Sequence, residues 1–155
     1  MSSSSSHRRL ATQAWESLFR AQVTVMRQLG KEPSLKKLGA GEYDILYTLT
    51  QCKSGWLRLN EFNDKVLISQ PSISRMVERM EKRGLIQRRT ADDDRRGVLI
   101  GLTEAGAAAQ KEVGREHVKH IAELLGAGLD EEEMRTLLAL TTKLRTSVAE
   151  QASAR

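Results

Sequence analysis

The sequence predicts a mainly α chain carrying one small β-hairpin, and three observations predict it. Apolar residues recur at three- and four-residue spacing in several separated segments of the 155 residues. Between Leu85 and Leu102 that spacing gives way to a period of two on either side of a polar tip. Helix starts and stops, such as Ser69-Gln70-Pro71, Gly84, Thr103-Glu104 and Asp130-Glu131-Glu132-Glu133, fall where the spacing changes.

Taken in order, Met1–Arg9 is a serine run followed by His-Arg-Arg, low in apolar content and expected to be a flexible arm. Leu10–Gly30 reads as a first helix with Trp15, Leu18, Phe19, Gln22, Val25, Met26 and Leu29 on a broad stripe. The stretch KEPSLKKLGAG reads as a connector, because Pro33 disfavours helix at Glu32 and two glycines loosen its end. Glu42–Cys52 reads as a short helix with Tyr43, Ile45, Leu46 and Leu49 as apolar contacts. Trp56–Leu59 is a brief extended piece, a candidate third strand, and Asn60–Leu67 returns to helix with Phe62, Val66 and Leu67 inward.

Ser69 can cap a helix that begins at about Gln70, and Pro71 fits a first turn that has no use for its missing amide. Ile73, Met76, Val77 and Met80 form its apolar stripe, while Ser72, Arg75, Arg79 and Lys82 fall on other faces. Gly84 can take the left-handed conformation that closes a helix. Leu85–Arg89 and Val98–Leu102 follow as paired strands, the second with Val98, Ile100 and Leu102 on one face. Thr103 caps a long helix to about Leu125, Gly126 and Gly128 break it, and Asp130 with Glu133 forms a capping box. Met134, Leu137, Leu138, Thr141, Leu144 and Val148 make one seam along the last helix. Such a seam needs a surface to lie against, and the same seam of a second copy supplies one.

A short helix ending near Leu67, a tight turn and then a basic helix is the sequence form of a helix-turn-helix. A helix with Ser, Arg and Lys outward, beside a hairpin tipped by Arg95 and Arg96, has the dimensions of B-DNA grooves. Residues 69–102 hold eight basic and five acidic side chains, whereas residues 103–155 hold seven basic and nine acidic, so the basic half is the one suited to a polyanion. The net charge of +5 points the same way.

Composition also excludes. Cys52 is the single cysteine, so no intrachain disulfide and no thiolate zinc cluster can form, which fits a reducing cytosol. No apolar run approaches the roughly 20 residues that a bilayer requires, and the N-terminus has no signal-peptide apolar region, so a soluble, cytoplasmic protein without membrane partners is expected. There is no phosphate-binding glycine loop and no G-x-S-x-G, hence no enzyme, no catalytic residue and no cofactor is expected. His117 and His120 are spaced as a ligand pair but lack companions, so surface histidines and no metal are expected. Trp15, Tyr43, Tyr47 and Trp56 are candidate walls for a small aromatic or phenolic effector, with core packing as the competing reading.

The order of these elements resembles the MarR family of winged-helix transcription regulators. The matching residues are Glu42–Leu49 (EYDILYTL), Glu61-Phe62, Ser74-Arg75 with Val77–Gly84 (VERMEKRG), Asp94-Arg95-Arg96 and Leu102-Thr103-Glu104-Ala105-Gly106, spread over about residues 10–148. The resemblance implies a winged helix-turn-helix with interlocking N- and C-terminal dimerisation helices, a homodimer that reads a palindrome of double-stranded DNA, most often as a repressor. By the same resemblance Gln70, Ser72, Ser74 and Arg75 face the groove, Arg96 enters the minor groove and Asp94 steadies the wing. The chain departs from the family pattern at Pro71, Gly97 and Arg58. It also lacks the cysteine near the start of the first helix that redox-sensing members carry, so Cys52 is expected to be structural or incidental.

The reading divides the chain into an arm (1–9), a dimerisation helix with its connector (10–38), a winged helix-turn-helix (39–102) and C-terminal dimerisation helices (103–155). The candidate DNA-binding residues are Gln70, Pro71, Ser72, Ser74, Arg75, Arg79, Arg88, Arg95 and Arg96, with Asp94 stabilising the wing. The alternatives are a winged-helix module for protein or RNA, and a redox-responsive regulator.

Overall fold

The computed structural model describes the backbone of residues 2–66, 70–91 and 97–154, and the side chains of these except residues 2–4, 63, 64, 70 and 71. The element order is α1 (Ser2–Leu29), α2 (Pro33–Lys37), α3 (Ala40–Thr50), β1 (Trp56–Arg58), α4 (Phe62–Lys65), α5 (Gln70–Lys82), β2 (Ile86–Thr90), β3 (Val98–Leu102), α6 (Glu104–Gly126) and α7 (Glu131–Ser153), with a 3₁₀ turn, Leu59–Glu61, between β1 and α4. Two compact units result, residues 1–118 and 119–155.

In the first unit the strands form an antiparallel sheet in the order β1-β3-β2. Leu57 pairs with Ile100 and Arg88 with Ile100 from the other side, so β3 is central and the extended piece around Trp56 is the third strand that the sequence suggested. The core lies between this sheet and the short helices. Phe62, Ile45, Leu46, Leu49, Ile73, Val77, Met80, Ile86 and Ile100 are its fully buried side chains. Burial of each contributes about 1.5–3 kcal/mol, which makes this cluster the main stabilising term of the unit.

Several boundaries differ from the sequence reading. Helix α1 starts at Ser2, not Leu10. A helix once nucleated gains one backbone bond per added residue, and serine is a middling rather than a prohibitive helix former. The Thr12 hydroxyl donates to the Arg8 carbonyl at 2.9 Å within this extension. The connector contains α2, because Pro33 occupies its first position with Glu32 extended at φ −61° and ψ 126° ahead of it. Proline forbids helix before itself but is preorganised for a first turn. The predicted helix Asn60–Leu67 is divided into the 3₁₀ turn and the four-residue α4, after which Val66 is extended. Arginine at position 58 has no acceptor to offer as a cap, and instead its backbone N–H donates to the Glu61 carboxylate at 2.9 Å. In β3, Val98 is exposed although Ile100 is fully buried, since the core ends before the outer end of the hairpin.

Other expectations stand. α5 closes as a Schellman motif: Gly84 has φ +72°, its N–H donates to the Glu81 carbonyl at 2.9 Å, and Leu85 N–H reaches the Met80 carbonyl at 3.0 Å. Thr103 caps α6, accepting from Gly106 N–H at 3.0 Å while its hydroxyl donates to the Gly84 carbonyl at 2.7 Å, so one side chain ties the start of α6 to the end of α5. Ser69, the predicted cap of α5, lies outside the described residues, as does Leu67.

The second unit comprises the end of α6 and all of α7. Asp130 accepts from Glu133 N–H at 2.9 Å and Glu133 accepts from Asp130 N–H at 2.9 Å, the reciprocal capping box that the sequence predicted. Along α7, Leu137, Leu138, Leu140, Leu144 and Val148 are exposed and only Met134 and Thr141 are half-buried. In the first unit Leu10, Trp15, Phe19 and Met26 of α1 are likewise exposed, and among the described side chains of that helix only Leu29 is buried. No described helix is long and apolar enough to cross a membrane.

Gly106 makes a direct test of the packing, because a Cβ there would overlap the Leu85 carbonyl. Gly106→Ala is expected to destabilise the chain by about 1–3 kcal/mol through overpacking, read as a lower urea midpoint with an unchanged slope; an unchanged midpoint would show that α6 does not press on that turn.

Candidate nucleic-acid interface

The site is built on α5. Its inner stripe, Ile73, Val77 and Met80, is buried to 1% or less, and Met76 is half-buried. The opposite side presents Ser72, Ser74, Arg75, Glu78, Arg79 and Lys82 to solvent. A helix with one face locked in a core and the other lined by hydroxyls and cations can hydrogen-bond to base edges and neutralise phosphates. Gln70 and Pro71 lie in the first turn of this helix. Beside it, β2 and β3 form the ribbon, still paired at Ala91, whose N–H donates to the Gly97 carbonyl at 2.9 Å. Asp94, Arg95 and Arg96, the candidates at the tip, lie outside the described residues.

The cations around α5 divide into distinct environments. Arg88, one of the sequence-stated contacts, directs its Nε to Glu81 Oε2 at 2.7 Å, with Nη2 on the same oxygen. Its hydrogen bond holds the Glu81 carboxyl below its ordinary value of about 4.5, and Glu81 in turn raises Arg88. Arg88 thereby ties β2 to α5. Lys82 pairs with Glu78 at 3.0 Å one turn earlier, which lowers Glu78 in the same way. Arg79 Nε lies 3.9 Å from Glu42 Oε1, and Arg83 Nη1 donates to Glu42 Oε2 at 2.5 Å. Arg75 is exposed on the outward face.

Two residues that the sequence reading passed over shape the ribbon. The Arg89 guanidinium lies 4.1 Å from the centre of the Trp56 ring, a cation–π contact between β2 and β1. Gly101 makes room for that ring, since a Cβ there would come within 2.6 Å of Trp56 carbon atoms. Trp56 is therefore packed across the sheet. Glu42 was read as the start of a short helix and of the stretch that matches the family, and nothing local in the sequence announces its arginine partners 37 and 41 positions away.

The four candidate effector-pocket aromatics are held by different neighbours. Trp15 is exposed and stacks on Phe19 at 5.8 Å, Tyr43 stacks on Tyr47 at 6.2 Å, and Trp56 lies under Arg89. Tyr47 too is exposed, so neither it nor Trp15 is a core residue of this chain. Burial raises the Tyr43 phenol above its ordinary value, against an opposing hydrogen bond with Gln110. His117 is not the surface histidine expected: its side chain is mostly buried, Nδ1 lies 3.0 Å from Glu32 Oε2, and its ring meets Tyr43 edge-on at 5.0 Å. A buried carboxylate needs such partners, and Glu32 also accepts from the Ser34 hydroxyl. No group of three or more metal-ligating side chains occurs among the described residues. The Cys52 thiol donates to the Thr48 carbonyl at 3.3 Å, one helical turn back.

Comparison with known proteins decides the family. Residues 38–98 match the model of the MarR family. Over 129 residues the chain is 31% identical to the HTH-type transcriptional regulator PecS of Dickeya dadantii, covering 81% of this chain and 78% of PecS. The chain belongs to the MarR family. This MarR-family transcriptional regulator also superposes on solved structures. Sco3205 of Streptomyces coelicolor, a MarR family regulator solved in complex with DNA, is 22% identical with a TM-score of 0.74, covering 88% of this chain and 86% of that one. NadR, solved with 4-hydroxyphenylacetate, is 26% identical with a TM-score of 0.66, covering 83% and 89%. Family membership accounts for the helix-turn-helix and its wing, and a MarR regulator is not an enzyme.

The Glu81–Arg88 tie gives a pH dependence with a definite sign. A carboxylate whose folded value is depressed adds stability that is present above its unfolded value and lost as pH falls through the folded one. The stability difference between the wild type and Glu81→Gln is therefore expected to hold at neutral pH and to shrink as pH drops below about 4.5, followed by urea denaturation at several pH values. A difference that grows in acid would contradict the pairing.

Proposed function

We propose that this MarR-family regulator is a cytoplasmic homodimer that binds a palindrome in double-stranded DNA and represses transcription by occupying its promoter. The observation that carries the reading is the outward face of α5, with Ser72, Ser74 and Arg75 exposed while the opposite stripe is fully buried. The Sco3205–DNA complex supports it as a structure of the same fold. Gln70, Pro71, Ser72, Ser74 and Arg75 act at base edges and nearby phosphates, Arg79 adds a phosphate contact, and Arg95 with Arg96 reaches the adjacent minor groove, steadied by Asp94. Arg88 contributes through the tie to Glu81.

The exposed leucines of α7 and the exposed apolar residues of α1 support homodimerisation. Solvent-facing apolar surface of that extent on two helices marks an interface. A two-fold pair sets its two α5 helices about one helical turn of duplex apart, about 34 Å, which is why the site reads as a palindrome. A small aromatic or phenolic effector that binds one spacing of the two lobes better than the other would release the DNA. The NadR complex with 4-hydroxyphenylacetate supports that class of ligand. Residues 10–38 and 103–155 serve dimerisation and residues 39–102 serve DNA.

Duplexes selected from a random pool, titrated by fluorescence anisotropy, test the reading. Arg75→Ala is expected to lose about tenfold in affinity and to flatten the salt dependence by about one phosphate contact; equal binding by the variant overturns the placement of α5. In a separate measurement, Leu138→Glu with Leu144→Glu is expected to convert the sedimentation velocity profile from dimer to monomer and to remove the preference for palindromes over single half-sites. A variant that sediments as the wild type does would exclude α7 from the interface.

A further inference from the structure

A helix that reads base edges must be held against rotation about its own axis, because a roll of a few degrees at the core moves the outer side chains by an appreciable fraction of a base-pair step. The apolar stripe of α5 cannot supply that by itself, since burial is non-directional. Directional contacts that join α5 to α3 and α2 lie near its C-terminal end. Glu42, in the first turn of α3, has a side chain only 10% exposed, yet it carries a carboxylate. Its Oε2 accepts from Arg83 Nη1 at 2.5 Å, immediately after the last turn of α5, and its Oε1 lies 3.9 Å from Arg79 Nε within that helix. The same Arg83 guanidinium donates through Nη2 to the Lys37 carbonyl at 3.2 Å, at the end of α2. One planar cation thus joins α5 to two other elements, and its fixed fork allows little rotation.

We propose that Glu42 is a positioning residue for sequence discrimination: it sets the roll of α5 through Arg83 and Arg79 without touching DNA. This rests on the reading that α5 enters the groove. Charge alone predicts the opposite result, which makes the proposal testable by sign. Glu42 is a negative charge beside Arg79 of the interface and Arg83 behind it, so its removal should strengthen binding to any polyanion if electrostatics is its whole effect. A positioning residue instead weakens binding to the selected sequence and spares binding to other sequences.

The experiment titrates the full-length wild type, Glu42→Gln, Arg83→Lys and the double variant against a selected duplex and a scrambled one over a range of salt, with thermal melts alongside. The preference for the selected duplex is expected to fall about tenfold in each single variant, with affinity for the scrambled duplex equal or slightly higher and the salt slope unchanged. The double variant is expected to be no worse than either single one, because the two residues act through one contact. Arg83→Lys keeps the charge at a half-exposed position, so it serves if Glu42→Gln fails to fold. A wild type that prefers no duplex overturns the reading of α5 itself. A wild type with a preference that Glu42→Gln retains, or a loss equal on both duplexes, or additive single effects, overturns the positioning role alone.

Discussion

Everything α5 presents outward depends on what it buries inward. Ile73, Val77 and Met80 are taken up by a core that also holds Ile45, Leu46 and Leu49 of α3, Phe62 of α4, and Ile86 and Ile100 of the sheet. That burial fixes which side of the helix can face solvent. Ser72, Ser74 and Arg75 are exposed because the stripe of Ile73, Val77 and Met80 has been claimed by the core. The apolar term also outweighs the exposed ion pairs around it, since pairs such as Lys82–Glu78 stand in water where charges are screened.

The polar contacts act on geometry more than on total stability. Thr103 joins the end of α5 to the start of α6, Arg88 joins β2 to α5, Glu42 joins α3 to α5 through arginine, and the buried Glu32 joins the entry of α2 to His117 of α6. Each is directional where the core is not. The basic residues of this region are consequently of two kinds. Some, such as Arg83 and Arg88, are engaged by carboxylates and hold elements together, while Arg75 stands on the solvent side where a phosphate can meet it.

The helices at the two ends of the chain follow a different logic. α1 and α7 are long, well-formed helices whose apolar residues lie mostly in solvent. Helices of this length seldom persist on intrinsic propensity alone and ordinarily need a packed face. The capping box of Asp130 and Glu133 contributes about 1 kcal/mol at one end, which does not substitute for a buried seam.

Much of this was legible in the sequence, because it rests on periodicity and local backbone chemistry. The stripe of α5, the glycine that ends it, the cap at Thr103, the box at Asp130 and the third strand at Trp56 are each set by residues within a few positions of one another. The start of α1 and the helix in the connector were missed where a weak local signal, a serine run or a proline, admits either reading. What no local pattern could carry is pairing across the fold. Arg88 belongs with Glu81 and Arg83 with Glu42, His117 is buried against Glu32, and Gly101 exists to admit the ring of Trp56. By itself the sequence determined which segments are helix or strand and which face of each is apolar, because those depend on neighbours along the chain. Only the tertiary structure decided which charges are engaged and which remain outward, because an ion pair depends on distances that the fold sets.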